Sequence, residues 1–136
     1  AFIAAADNPL ASQRGLTYCD LADHPFIGPV KDTQYGRLLR RVFDEVGFTD
    51  HNTITQSQNT LIRRELILSG IGFSCALETG WEDDLADGRL VILDVAGNSL
   101  SLEVRVGFLP DRKISKPSRT FLAYLDILKA ERTFDS

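Results

Sequence analysis

No methionine occurs anywhere in the 136 residues, and there are only two histidines, two cysteines and one tryptophan. Without a methionine, residue 1 is not a translation start, so the chain reads as a piece or a processed product of a longer protein. His24 and His51 have no Cys, His, Asp or Glu partner at a spacing such as His-x-x-x-His, so no metal motif is recognisable. Cys19 and Cys75 read as reduced, buried thiols, which suits a cytoplasmic protein. Positive charge is in short supply: 15 Lys and Arg against 19 Asp and Glu give a net charge of −4, which excludes a broad basic face for nucleic acid. No apolar run approaches the ~20 residues that span a bilayer. What remains is 43% hydrophobic and 25% charged, the composition of a globular domain or a large part of one.

The apolar pattern divides into short strands and helices. Residues 1–6 form an apolar strand stopped by Asp7-Asn8-Pro9. Residues 16–23 suit a short helical turn that His24-Pro25 breaks, and Phe26-Ile27 start a strand that Gly28-Pro29 end. Leu38, Leu39, Val42, Phe43 and Val46 recur at helical spacing over residues 34–46, with Asp32 or Thr33 as cap and Gly47 as stop. Residues 53–56 are β-rich. Asn59 caps a second helix over residues 60–69, with Leu61, Ile62, Leu66 and Ile67 inward. Strands follow at residues 72–77, 90–93 and 102–108, the last with one wet face, and a short acidic helix fills residues 81–86. Lys116-Pro117 open a final helix with Phe121, Leu122, Leu125 and Leu128 as its stripe. Strands alternating with helices predict an α/β fold with a mostly parallel sheet and helices on both faces.

Catalytic motifs fail on context. Gly70-Ile71-Gly72 follow a helix and open a strand, whereas a dinucleotide fingerprint needs a strand leading into a helix. Ser74 sits in an apolar strand, not on the strand-to-helix elbow that exposes a nucleophile. Glu82-Asp83-Asp84 read as solvated carboxylates in a helix's first turn, and Arg40-Arg41 and Arg63-Arg64 as wet helix faces. No acid, base and nucleophile converge, so the chain reads as a binding module and not as an enzyme. The segment of interest is residues 28–34, which leaves a strand's carboxyl end and enters a helix N-terminus. Ligands bind there in open α/β sheets, and the free amides favour an anion.

Several segments match a known pattern in order and spacing. Asn8-Pro9-Leu10-Ala11 stands for His-Pro-Leu-Ala, and Leu21-Ala22-Asp23-His24-Pro25-Phe26-Ile27 for a short helix followed by Pro-Phe-Ile. Phe43-Asp44-Glu45-Val46-Gly47-Phe48 fit the helix end. Ser69-Gly70-Ile71-Gly72-Phe73 and Asp84-Leu85-Ala86-Asp87-Gly88-Arg89-Leu90-Val91 fit Gly-Leu-Gly-Ile and Leu-Ala-x-Gly-Arg-Leu-Val. Residues 115–125 fit a closing helix, with Arg119 and Phe121 in register. Over nearly its whole length the chain resembles the C-terminal regulatory region of LysR-type transcriptional regulators. It departs at Asn8, at Leu77 where proline is usual, and at Pro117, shifted by one; these bear on loops.

The resemblance implies a type 2 periplasmic-binding-protein-like effector domain: two α/β lobes, two crossover strands and a small ligand between the lobes. Residues 1–6 and 102–108 would be the crossover strands, 7–101 the second lobe, and 109–136 the return to the first lobe. It also implies a small, anionic effector, a homodimer or tetramer, no cofactor, no membrane, and DNA contact only through an N-terminal winged helix-turn-helix outside this chain. Pro29, Val30, Lys31, Asp32 and Thr33 are carried over as the effector-contacting segment. The alternative is a solute-binding protein of a transport system. The final helix, without a first lobe to cover it, is expected to pack on a second copy or to be swapped between chains.

Overall fold

Side-chain caps set where the helices begin. Thr17 and Asp20 exchange hydrogen bonds with each other's backbone to open α1 (Tyr18–Ala22). The Thr33 hydroxyl accepts from the Gly36 amide at 2.9 Å to open α2 (Gln34–Val46). Asn59 Oδ1 accepts from the amides of Leu61 and Ile62 at the start of α3 (Thr60–Leu68). Gly47 ends α2 with φ at 76°, a left-handed conformation that other residues rarely adopt. The computed structural model describes residues 1–49, 51–77, 80–97, 100, 106–107 and 113–132. They fall into two units, Ala1–Ser101 and Leu102–Ser136.

The first unit also holds α4 (Glu82–Ala86) and five strands: β1 (Phe2–Ala5), β2 (Phe26–Gly28), β3 (Thr53–Gln56), β4 (Ser74–Cys75) and β5 (Leu90–Ile92). β2 pairs in parallel with β3. On its other side β2 meets the start of β4, also in parallel: the Ile27 amide donates to the Phe73 carbonyl at 2.8 Å, and the Phe73 amide to the Pro25 carbonyl at 3.0 Å. β1 lies antiparallel between β4 and β5. The spatial order is therefore β3-β2-β4-β1-β5. Four described strands run one way and β1 runs the other, so the mostly parallel sheet has one reversed member. The strand expected at residues 102–108 lies outside the described residues, Val106 and Gly107 excepted.

Alternation along the strands sends neighbours to opposite faces. Phe2, Phe26, Phe73 and Cys75 pack with Leu39 and Phe43 of α2 and Leu21 of α1. Ile3, Ile27, Ala76 and Leu90 pack with Ile67 of α3 and Leu85 of α4. Helices thus cover both faces, as expected. Ser74 is buried in the sheet, and its hydroxyl donates to the Ile27 carbonyl at 2.6 Å. Gly72 lies so close to β2 that an added Cβ would stand 2.2 Å from the Pro25 carbonyl oxygen. Gly72 therefore serves chain packing, whereas Gly70, with φ at 74° and open space around it, serves the turn after α3.

Four expectations about burial are corrected. Leu61 is 70% exposed and Ile62 51% exposed, while Arg63 is only 7% exposed. Residues 63 and 67 share a helical face four positions apart, and the sheet takes up that face rather than the one bearing Leu61. Leu38 on α2 also points outward, because Gly36, Leu39 and Phe43 carry the buried face. Cys19 is exposed, since α1 turns Leu21 inward instead. Cys75 is buried as expected, and burial pushes its thiol up to about 11, which leaves it unreactive. Asp84, read as solvated, is buried; its partners are described below.

The second unit contains α5 (Lys116–Arg132). Pro117 occupies its first turn, and the Ser115 hydroxyl accepts from the Ser118 amide. The expected stripe is divided: Phe121 and Leu128 are exposed, together with Tyr124 and Ile127, and Leu122 and Leu125 are half-buried.

Candidate functional site

The sheet order reverses at β2: the chain steps from β2 outward to β3, then back across to β4. Helix α2 consequently lies on one face and α3 on the other. A crevice opens outside the carboxyl ends of the strands at such a switch point. An open cavity of about 470 Å³ occupies this place. Pro29 follows β2, Ser57 and Gln58 follow β3, and Ala76 and Leu77 follow β4; all line it. The first residues of two helices, Gln34 of α2 and Thr60 of α3, line it too, with Trp81 at the start of α4 as an apolar wall. Two helix N-termini on one cavity supply unpaired amides and partial positive charge.

Arg63 also lines this cavity. Its Nε and Nη1 are shielded from solvent and meet no hydrogen-bond acceptor among the described residues. Its guanidinium lies 5.8 Å from the ring centroid of Tyr35, another lining residue. Burial pushes the Tyr35 phenol above its ordinary range, with Cys75 adding to the rise and Arg63 opposing it. Nothing in the helix pattern separates Arg63 from Arg64. The one available signal was the four-residue spacing from Arg63 to the inward-facing Ile67.

Arg64 has the opposite circumstance. Its Nε and Nη2 reach both oxygens of Asp84, at 2.6 and 2.7 Å, and Arg89 adds a contact to Oδ1 at 2.7 Å. This fork-shaped pair ties α3 to α4. The Arg64 hydrogen bonds hold the Asp84 carboxyl below its usual range, helped by the charges of Arg64 and Arg89. A carboxylate with a depressed pKa adds stability above its unfolded value of about 3.9, and that stability is lost as pH falls through the lower folded value. Asp84→Asn is therefore expected to lower the melting temperature at pH 7, and the gap from the parent should narrow as pH falls through the carboxyl's lowered range. A gap independent of pH in calorimetric scans would mean that the ion pair is not its source.

Of the five segment residues, Pro29 and Thr33 line the cavity with Arg63. Pro29 and Lys31 line a second cavity of about 390 Å³ on the other side of the loop, among Phe26, Phe43, Phe48 and His51. Val30 and Asp32 line neither. The Val30 carbonyl accepts from the Thr33 hydroxyl at 2.7 Å and from its amide at 3.2 Å, and the Asp32 carbonyl accepts from Arg37. These bonds shape the loop that leads into α2. Gln34, the last residue of the segment singled out from sequence, lines the cavity too; Tyr35, Ser57, Arg63 and Trp81 were not named from sequence, because separate chain segments bring them together.

A largely parallel sheet with helices on both faces and a polar crevice at its switch point is the architecture of an open α/β ligand-binding domain. Residues 1–128 match the family model described as the LysR substrate binding domain, and the chain belongs to that family. Over 95 residues, 70% of the chain, it is 30% identical to a RuBisCO operon transcriptional regulator of Allochromatium vinosum, covering 31% of that protein. Over 123 residues, 90% of the chain, it is 26% identical to the HTH-type transcriptional regulator CbbR of Rhodospirillum rubrum, covering 40% of it. The chain thus spans about a third to two-fifths of the curated relatives it matches. Among solved structures, the Synechocystis PCC6803 CcmR regulatory domain in complex with 2-PG superposes with a TM-score of 0.73 at 22% identity, over 93% of this chain and 61% of that one. The effector binding domain of QuiR in complex with shikimate gives 0.64 at 18% identity, over 90% and 57%.

Proposed function

We propose that this chain is the ligand-sensing part of a LysR-type transcriptional regulator and that a small anionic effector occupies the cavity lined by Pro29, Thr33, Gln34 and Arg63. The observation that carries this reading is the meeting of three strand ends, two helix N-termini and a buried arginine at one crevice. Residues 7–101 act as the second lobe, residues 1–6 and 102–108 as crossovers, and residues 109–136 as the return to a first lobe that forms the opposite wall. The parent protein works in the cytoplasm as a homodimer or tetramer and touches DNA through a segment outside this chain. The curated relatives favour this over a transport protein. No step in this function breaks or makes a covalent bond. An effector shifts the regulator only by its differential affinity for two lobe arrangements.

The test uses the full-length protein, its promoter fragment and the two ligands named for structural neighbours, 2-PG and shikimate. Fluorescence anisotropy at constant salt is expected to show a saturable change in promoter affinity with at least one of them, or with a related small acid. A promoter affinity indifferent to a broad panel of small acids would remove the reading.

A further inference from the structure

We propose that Arg63 is the anchor for an oxyanion, a carboxylate or a phosphate, carried by the small molecule that enters the cavity between the N-termini of α2 and α3. This rests on the reading of that cavity as the effector site and names the chemistry the site selects. A guanidinium carries five donors and a charge that proteins cannot remove. Burying it without a counter-charge is unfavourable, and buried arginines are normally paired. Arg64, its neighbour, follows the rule by holding both oxygens of Asp84. Arg63 breaks it: it is 7% exposed, and among the described residues it has no ion pair and its Nε and Nη1 have no acceptor. Among the described residues, the buried side-chain polar atoms without a partner are these two and the Tyr18 hydroxyl.

The surroundings favour an anion over any neutral ligand. Helices of 13 and 9 residues direct their positive ends at the same cavity. The described lining residues include no carboxylate: they supply Thr33, Gln34, Tyr35, Ser57, Gln58 and Thr60 as polar groups. Tyr35 flanks the guanidinium plane, which orients its fork. An incoming oxyanion would supply the acceptors that Arg63 is missing, and its charge would meet three sources of positive potential at once. A neutral ligand would leave the guanidinium uncompensated.

The experiment compares the full-length protein with Arg63→Met, which keeps an unbranched apolar stem and removes the charge, and with Arg63→Lys, which keeps the charge and loses the fork. Urea unfolding and calorimetric binding are measured with 2-PG, shikimate and inorganic phosphate as probes, against chloride at equal ionic strength. Inorganic phosphate separates capture of a bare phosphate from recognition of a carboxylate. In chloride, Arg63→Met is expected to unfold at the same or a higher urea concentration than the parent, because an unpaired buried charge is gone. At least one probe should raise the parent's midpoint saturably. That increment should vanish in Arg63→Met, with affinity roughly ten- to a hundredfold weaker, and Arg63→Lys should fall between. Overturning results are undiminished probe binding by Arg63→Met, a Met variant that unfolds early or fails to fold, or no increment in the parent with any probe. An effector that binds through Arg63 without altering promoter affinity would sink the regulatory reading alone. An effector that alters promoter affinity equally in parent and Arg63→Met would sink this inference alone.

Discussion

Phe2→Ala is expected to lower the stability of the first unit by about 3–5 kcal/mol, the range for emptying a fully buried aromatic site. Phe2 is fully buried on β1, the strand between β4 and β5. Its ring centroid lies 5.4 Å from that of Phe48, 5.9 Å from Phe43, 6.0 Å from Phe73 and 6.2 Å from Tyr18. Truncation therefore loses transfer free energy and several edge and stacked ring contacts together. The loss should appear as a large fall in the urea midpoint with little change in slope. Leu61→Ala on exposed α3 surface is the control, expected within about 0.5 kcal/mol of the parent. Similar midpoints for the two variants would show that the phenylalanine cluster is not what holds the sheet to α2.

Gly36→Ala is the second large effect, and its sign is informative. Alanine at an open helix-interior position normally stabilises by about 0.5–1 kcal/mol. Here an added Cβ would stand 2.2 Å from the Val30 carbonyl oxygen and 3.0 Å from that of Lys31. Both obstacles are backbone, so no side chain can swing aside. Either α2 or the loop from Gly28 must move, and the loop carries Pro29 and Thr33 to the cavity. The expected result is a destabilisation of about 1–3 kcal/mol and at least about tenfold weaker effector binding. Calorimetry of unfolding and of binding measures both. A stabilised variant with unchanged affinity would mean that the close approach of loop and helix is not required.

Local rules made much of the fold legible. Thr33, Asn59 and Gly47 mark helix ends because capping depends on residues only a few positions apart. Strands alternating with helices foretold a sheet covered on both faces, and Phe2 and Phe26 indeed pack on one face while Ile3 and Ile27 pack on the other. Burial on α3 was not legible, since Leu61, Ile62, Leu66 and Ile67 offer two competing apolar faces and only the sheet beneath decides. Asp84 was misread for a related reason: its partner Arg64 lies 20 positions away and no local pattern links them. The site was half legible. The loop before α2 announces itself as a strand end meeting a helix start, but Arg63 and Ser57 come from the next strand–helix unit.

The reversed central strand has a consequence for how the molecule is made. β1 leaves the ribosome well before the strands it pairs with: its partners Cys75 and Leu90 follow some seventy or more positions later. Until then both hydrogen-bonding edges of an all-apolar segment stand open, and this part of the sheet waits on strands that arrive much later. The nascent chain therefore passes through a long interval in which its stickiest stretch has no native partner, the circumstance in which chaperones matter most.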